Sequence, residues 1–92
     1  MNMDRNDIQL CVVATLHDLL AGKDSQVIDE RTDPIRGLGL ESPDGIEFAC
    51  ALAQKLHCEI PDDLNPFVDD KNNRARRVGE IVDLVCKLVG AQ

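Results

Sequence analysis

The sequence predicts an all-α fold of four helices, one of them short, and three observations carry that reading. Apolar residues recur at the helical period in three separate stretches. Runs that alternate polar with apolar residues, the mark of half-buried strands, are nearly absent. A capping residue followed by proline, a favoured helix start, stands at Ser42-Pro43 and again at Asn65-Pro66.

The 92 residues suit one domain, residues 1–92. A chain this short buries a modest core but can fold alone. At 43% hydrophobic it is too apolar for intrinsic disorder. Phe48 and Phe67 are its only aromatic residues, so the core is expected to be aliphatic.

The first helix is expected from Asp4–Asn6 to Ala21. Ile8, Val12, Leu16, Leu19 and Leu20 form its stripe, widened by Leu10, Cys11 and Val13. Gly22 follows as a C-terminal cap. A long connection, Lys23 to Glu41, comes next, rich in Asp, Gly and Pro. A structureless loop of that length in a compact domain counts against the assignment unless the loop is functional. Val27, Ile28, Ile35, Leu38 and Leu40 read as anchors that tie it across the helices, with a short helical turn near Ser25–Glu30.

The second helix is expected from Pro43 to His57. Ser42 is placed to cap it through its side-chain oxygen, with the hydroxyl near solvent. Asp44 and Glu47 complement the dipole of the first turns. Ile46, Ala49, Leu52, Ala53 and Leu56 make the inward face, with Phe48 on the flank. Asp44, Glu47, Ala51, Gln54 and Lys55 make the outer face. Gly45 costs about 1 kcal/mol relative to Ala at a helical position, and close approach by another group is the one reason the sequence offers for it.

Glu59-Ile60-Pro61-Asp62-Asp63 reads as an extended exit, since Pro61 disfavours helix at Ile60. A short third helix is expected from Pro66 to Asp70, burying Phe67 and Val68 beside Leu64. The basic run Lys71-Asn72-Asn73-Arg74-Ala75-Arg76-Arg77 leads into a last helix from Asn73 or Arg74 to Val89. Val78, Ile81, Val82, Val85 and Val89 are its stripe, with Leu84, Cys86 and Leu88 near it, and Gly90 ends it.

Composition narrows the function. A net charge of −7 argues against nucleic acid, whose phosphates need a cationic surface. It favours proteins that carry basic patches. No apolar run spans a bilayer and the N-terminus lacks a signal-peptide core, so a cytoplasmic protein without membrane insertion is expected. The four cysteines, Cys11, Cys50, Cys58 and Cys86, match no paired metal-ligand spacing. Cys50, His57 and Cys58 lack the second pair that zinc needs. Neither a P-loop nor a dinucleotide fingerprint occurs. Ser42 with His17 or His57 has no nucleophile elbow around it. Catalysis by this chain itself is not expected.

The stretch Leu38-Gly39-Leu40-Glu41-Ser42-Pro43-Asp44 resembles the signature of acyl carrier proteins, an aspartate-serine-leucine triplet after a leucine-glycine pair. Glu59-Ile60-Pro61-Asp62-Asp63 is similar to that family's exit from its second helix, at matching distance. Val78-Gly79-Glu80-Ile81-Val82-Asp83 resembles the start of its last helix. Pro43 and Glu41 depart from the triplet.

The resemblance implies a four-helix bundle of acyl-carrier type, with a long first loop and a short third helix. It implies a 4′-phosphopantetheine arm, taken from coenzyme A, on Ser42. Acyl intermediates are then held as thioesters for fatty-acid or specialised lipid or polyketide biosynthesis. Glu41, Asp44 and Glu47 become the partner-recognition residues. Expected partners are a phosphopantetheinyl transferase and acyl-transferring and condensing enzymes with basic docking patches, met by a monomeric carrier. The backbone N–H groups of Asp44 and Gly45 are the expected donors to the attached phosphate. Ile46, Phe48, Leu52, Leu64, Phe67 and Val68 are candidates for an acyl pocket, each with ordinary core as the plainer role. Two other readings stand: a peptidyl or aminoacyl carrier, and a helical interaction module without the arm.

Overall fold

The computed structural model describes residues 4–20, 27–61 and 63–90. Among the described residues three helices and one two-stranded hairpin form: α1 (Arg5–Leu20), α2 (Asp44–Leu56), β1 (Val68–Asp69), β2 (Arg74–Ala75) and α3 (Val78–Val89). The protein is mostly helical, with α1 packed on both α2 and α3. The proposed end of the first helix at Ala21, the Gly22 cap, Lys23 and Asp62 lie outside the described residues.

The period of each stripe dictates what each helix buries. Ile8, Val12 and Leu16 of α1 meet Phe48, Leu52 and Leu56 of α2 and Val78, Ile81, Val82 and Val85 of α3 in one core. Thr15 is also fully buried, and its hydroxyl donates to the Cys11 carbonyl at 2.7 Å. That bond satisfies the one polar atom the stripe buries. Leu10, expected to widen the stripe, instead points outward at 69% exposure.

The face of α2 is turned relative to expectation. Phe48 lies in the core with no exposure, while Ile46 is 44% exposed. Phe48, Leu52 and Leu56 stand four residues apart on one stripe, whereas Ile46 lies about 120° around the helix from Leu52. Phe48 prevails because it packs against Phe67, ring centroids 5.2 Å apart and planes tilted by 41°. An aromatic pair of this geometry adds about 1 kcal/mol beyond its buried area.

The connection before α2 is ordered by its own turn chemistry. Asp33 Oδ1 accepts from the Ile35 and Arg36 N–H groups, and the Gly37 N–H returns to the Asp33 carbonyl. Asp33-Pro34 thus opens a single helical turn. A Cβ on Gly37 would stand 2.8 Å from the Asp33 carbonyl oxygen, which is why glycine closes it. Ile28, Ile35, Leu38 and Leu40 pack on the core as anchors, whereas Val27 is 86% exposed and anchors nothing. Residues 27–30, part of the expected turn near Ser25–Glu30, are not helical; the rest of that turn lies outside the described residues. The loop also closes the start of α3. The Val78 and Gly79 N–H groups donate to the Thr32 and Glu30 carbonyls at 2.8 and 2.9 Å.

The short helix expected over Pro66–Asp70 is absent, and the four-helix count is corrected with it. Asn65 Oδ1 accepts the Phe67 N–H and the Asn65 carbonyl accepts the Val68 N–H, so one turn forms. The run Asp69-Asp70-Lys71-Asn72-Asn73 then stops it. Asp69 bonds to the Lys71 N–H and the Asn72 amide, and Asn73 takes a left-handed φ of 51°. Those are turn preferences of Asp and Asn, and they fold the chain into an antiparallel hairpin pairing Val68 with Ala75 and Asp69 with Arg74. For the same reason the last helix starts at Val78, not at Asn73 or Arg74.

Two of the four cations in the basic run, Arg74 and Arg76, are used inside the domain. Arg76 Nη1 donates to the Val68 and Asn65 carbonyls at 2.9 and 3.2 Å. Arg74 pairs with Glu80. Arg5 binds Glu30 and Asp83 at 2.6 and 3.1 Å, joining the first turn of α1 to the loop and to α3. Such exposed pairs order the surface more than they stabilise it.

Candidate functional site

Ser42 lies at the entry to α2, exposed, immediately before the residues that turn the chain into the helix. Its expected capping role is not observed. The Asp44, Gly45 and Ile46 N–H groups donate to the Glu41, Ser42 and Pro43 carbonyls at 3.0, 3.0 and 3.1 Å. A tight turn with bonds three residues apart therefore precedes the α-helical ladder. The Glu41 N–H donates to Asp44 Oδ2 at 2.8 Å, which ties the first helical residue back across the turn. Pro43 stands at the cap position of α2, no side chain makes a capping bond there, and the Ser42 hydroxyl is left without that role.

This arrangement also corrects the expected phosphate donors. The Asp44 and Gly45 N–H groups already serve backbone carbonyls, and Pro43 has none. An anion on Ser42 gains no cradle from them.

The Ser42 hydroxyl has one hydrogen-bond contact among the described residues, a long one of 3.4 Å from Asn65 Nδ2. The same Nδ2 donates to the Ser42 carbonyl at 2.8 Å. Asn65 lies directly over Gly45. A Cβ there would overlap Asn65 Oδ1 and stand 2.7 Å from its Cγ. The close approach that Gly45 requires is thus the Asn65 side chain. Sequence reasoning registered each residue without joining them, and the matched proline after both Ser42 and Asn65 is no signal of their contact.

The three acidic residues near Ser42 face a cleft of about 540 Å³ between α1, the loop and α2, to which Asp18 also contributes. Glu41 and Glu47 are exposed and make no ion pair among the described residues, while the Asp44 carboxylate accepts the Glu41 N–H. Lys55, at the far end of α2, is neutralised by Asp18 at 2.7 Å. The accessible charge at the start of α2 is therefore negative.

On the other flank of α2 an apolar groove of about 760 Å³ runs beside Ile46, Cys50, Ile60, Leu64 and Leu88. Of the six acyl-pocket candidates, Ile46 and Leu64 line it. Phe48, Leu52 and Phe67 do not, because they are fully buried core. Val68, half-buried in β1, is not in its wall. On the α2 side its wall includes the small residues Ala49, Cys50 and Ala53, and on the other side Ile60, Pro61 and Leu64. Burial pushes the Cys58 thiol, also in the wall, above its ordinary range.

Among the described residues no group of three or more His, Cys, Asp or Glu could hold a metal ion, and no helix is long and apolar enough to cross a membrane. Comparison with protein-family models, with curated proteins and with solved structures gives no match.

Proposed function

We propose that this protein is a cytoplasmic carrier domain of acyl-carrier type that holds acyl groups on a 4′-phosphopantetheine arm at Ser42. The observation that carries the reading is one exposed serine hydroxyl, free of capping duty, at the head of a helix with an acidic flank and an apolar groove. A tethered arm needs an attachment atom that is accessible and fixed in place, and Ser42 meets both needs. The arm supplies a terminal thiol on which acyl groups are held as thioesters.

Attachment forms a bond from Ser42 Oγ to the pantetheine-side phosphorus of coenzyme A. It breaks that phosphorus's bond to the bridging oxygen of the pyrophosphate and releases the nucleotide half. The serine proton passes to a base on the transferase. Ser42 provides the nucleophile, and no group of this chain is assigned as its base. Glu41 and Glu47 attract basic faces of the transferase and of acyl-handling enzymes, which raises encounter rates more than final affinity. The chain itself is a carrier and a monomer, not an enzyme.

The test is to incubate the protein with coenzyme A and a broad-specificity transferase and weigh the product. A mass gain equal to one arm, lost in Ser42→Ala, is expected. No gain on the unaltered protein, or a gain that survives Ser42→Ala, refutes the reading.

A further inference from the structure

We propose that Asn65 is the positioning residue for group transfer onto Ser42, an inference that rests on the carrier reading above. Three contacts converge on its carboxamide. Oδ1 accepts the Phe67 N–H at 3.0 Å, which fixes the amide orientation and turns Nδ2 toward α2. Nδ2 donates to the Ser42 carbonyl at 2.8 Å and approaches Ser42 Oγ at 3.4 Å. The bare Gly45 backbone leaves the room in which the carboxamide lies.

Asn65 is itself held. The Arg76 guanidinium donates to its carbonyl at 3.2 Å and to that of Val68 at 2.9 Å. Next to it Phe67 is locked in the core against Phe48. The serine is thus braced from the hairpin side, across 23 residues of sequence.

The consequence for the chemistry follows from hydroxyl hydrogen bonding. A serine oxygen has one proton to give and two lone pairs. Asn65 can only donate from Nδ2, so it engages a lone pair and leaves the proton turned away, open to an external base. It also holds the Ser42 carbonyl, and with it the backbone from which Oγ projects. Fixing a nucleophile in this way lowers the barrier by orientation, without contact to the incoming group.

Asn65→Asp tests this directly. The aspartate retains an acceptor for the Phe67 N–H and loses both donors to Ser42. Asn65→Ser, a second variant, keeps a hydroxyl for the turn and is too short to span to Ser42. Loading by transferase and coenzyme A is followed by intact mass, with kcat and KM separated. Amide hydrogen exchange of residues 41–46 in the unloaded protein is the readout that does not depend on transfer.

Both variants are expected to retain the helical circular dichroism of the parent. Loading kcat should fall about 5- to 10-fold, the scale of one lost hydrogen bond, with KM little changed. Exchange at Asp44 and Gly45 should speed up while α1 and α3 do not respond. If the parent loads and both variants load at the parent's kcat, the inference is overturned and the carrier reading stands. A parent that does not load overturns the carrier reading and the role of Asn65 in transfer together. Should either variant unfold, the other decides. If both unfold, Asn65 is a folding residue and the positioning role is overturned.

Discussion

Gly45 and Asn65 are a matched pair: the carboxamide of Asn65 fills the space in which any side chain at position 45 would have to start. Gly45→Ala gains about 1 kcal/mol of helix propensity and forces the Asn65 side chain off its bonds to Ser42 and Phe67. Overpacking of this kind costs about 1–3 kcal/mol, so a net loss of stability is expected in urea denaturation. Asn65→Ala alone should also destabilise. In the double variant the clash is gone and the propensity gain remains, so its loss should be smaller than the sum of the single losses by about 1 kcal/mol or more. Additive losses would show that the two residues do not share a contact.

How far the sequence carried this fold can be judged at these same positions. The three long helices and most anchors of the loop were legible, because helical periodicity and Asp, Gly and Pro turn chemistry are local. Gly45 was legible as a position approached by something. Its neighbour Asn65 was not, because a contact across 23 residues leaves no trace in local pattern. The hairpin was hidden by Asn65-Pro66, which starts a turn as expected. Only the Asp and Asn residues that follow decide that the turn stops. The orientation of α2 was hidden differently. The stripe through Ile46, Ala49, Ala53 and Leu56 competes with the one through Phe48, Leu52 and Leu56, and the ring at Phe67 that favours the second is supplied by another segment.

That choice separates core from groove and can be measured. The resemblance to acyl carriers made Leu52 and Ile46 both candidates for the pocket. Leu52 is fully buried, so Leu52→Ala should cost about 2–5 kcal/mol in urea denaturation. Ile46 stands at the rim of the groove with 44% exposure, and Ile46→Ala should cost under about 1 kcal/mol. Equal losses at the two sites would mean that α2 is rotated from the orientation described.

Acid should weaken the hairpin and its junction with α3. Arg74 donates to the Glu80 carboxylate, the Arg77 N–H adds a second bond, and together they hold Glu80 below the usual carboxylate range. The Asn72 amide, with smaller help from other groups nearby, does the same for Asp69. Folded carboxyls with lowered pKa values stabilise the protein above the unfolded pKa, near pH 4. That contribution is lost as pH falls through the lowered folded values. The Tm of the parent should therefore drop between about pH 5 and pH 2. Part of this dependence should vanish in Glu80→Gln, which cannot titrate, and an unchanged pH profile in that variant would remove Glu80 from the account.

The groove carries its own chemical reporters. Cys50 and Cys58 both line it and are free thiols, one exposed and one half-buried. The thiolate is the reactive form, and burial raises the Cys58 pKa, so less of it is ionised at neutral pH. Iodoacetamide under native conditions should therefore modify Cys50 before Cys58, as peptide mass mapping would resolve. Raising the pH should close the gap in rate, because the Cys58 thiolate is then populated while its access is unchanged. Unfolding in urea should abolish the order altogether, since both the burial and the groove are lost. If Cys58 reacts first in the native protein, the wall of the groove formed by the segment after α2 is more open than the structure has it, and Ile60 and Leu64 do not close that side.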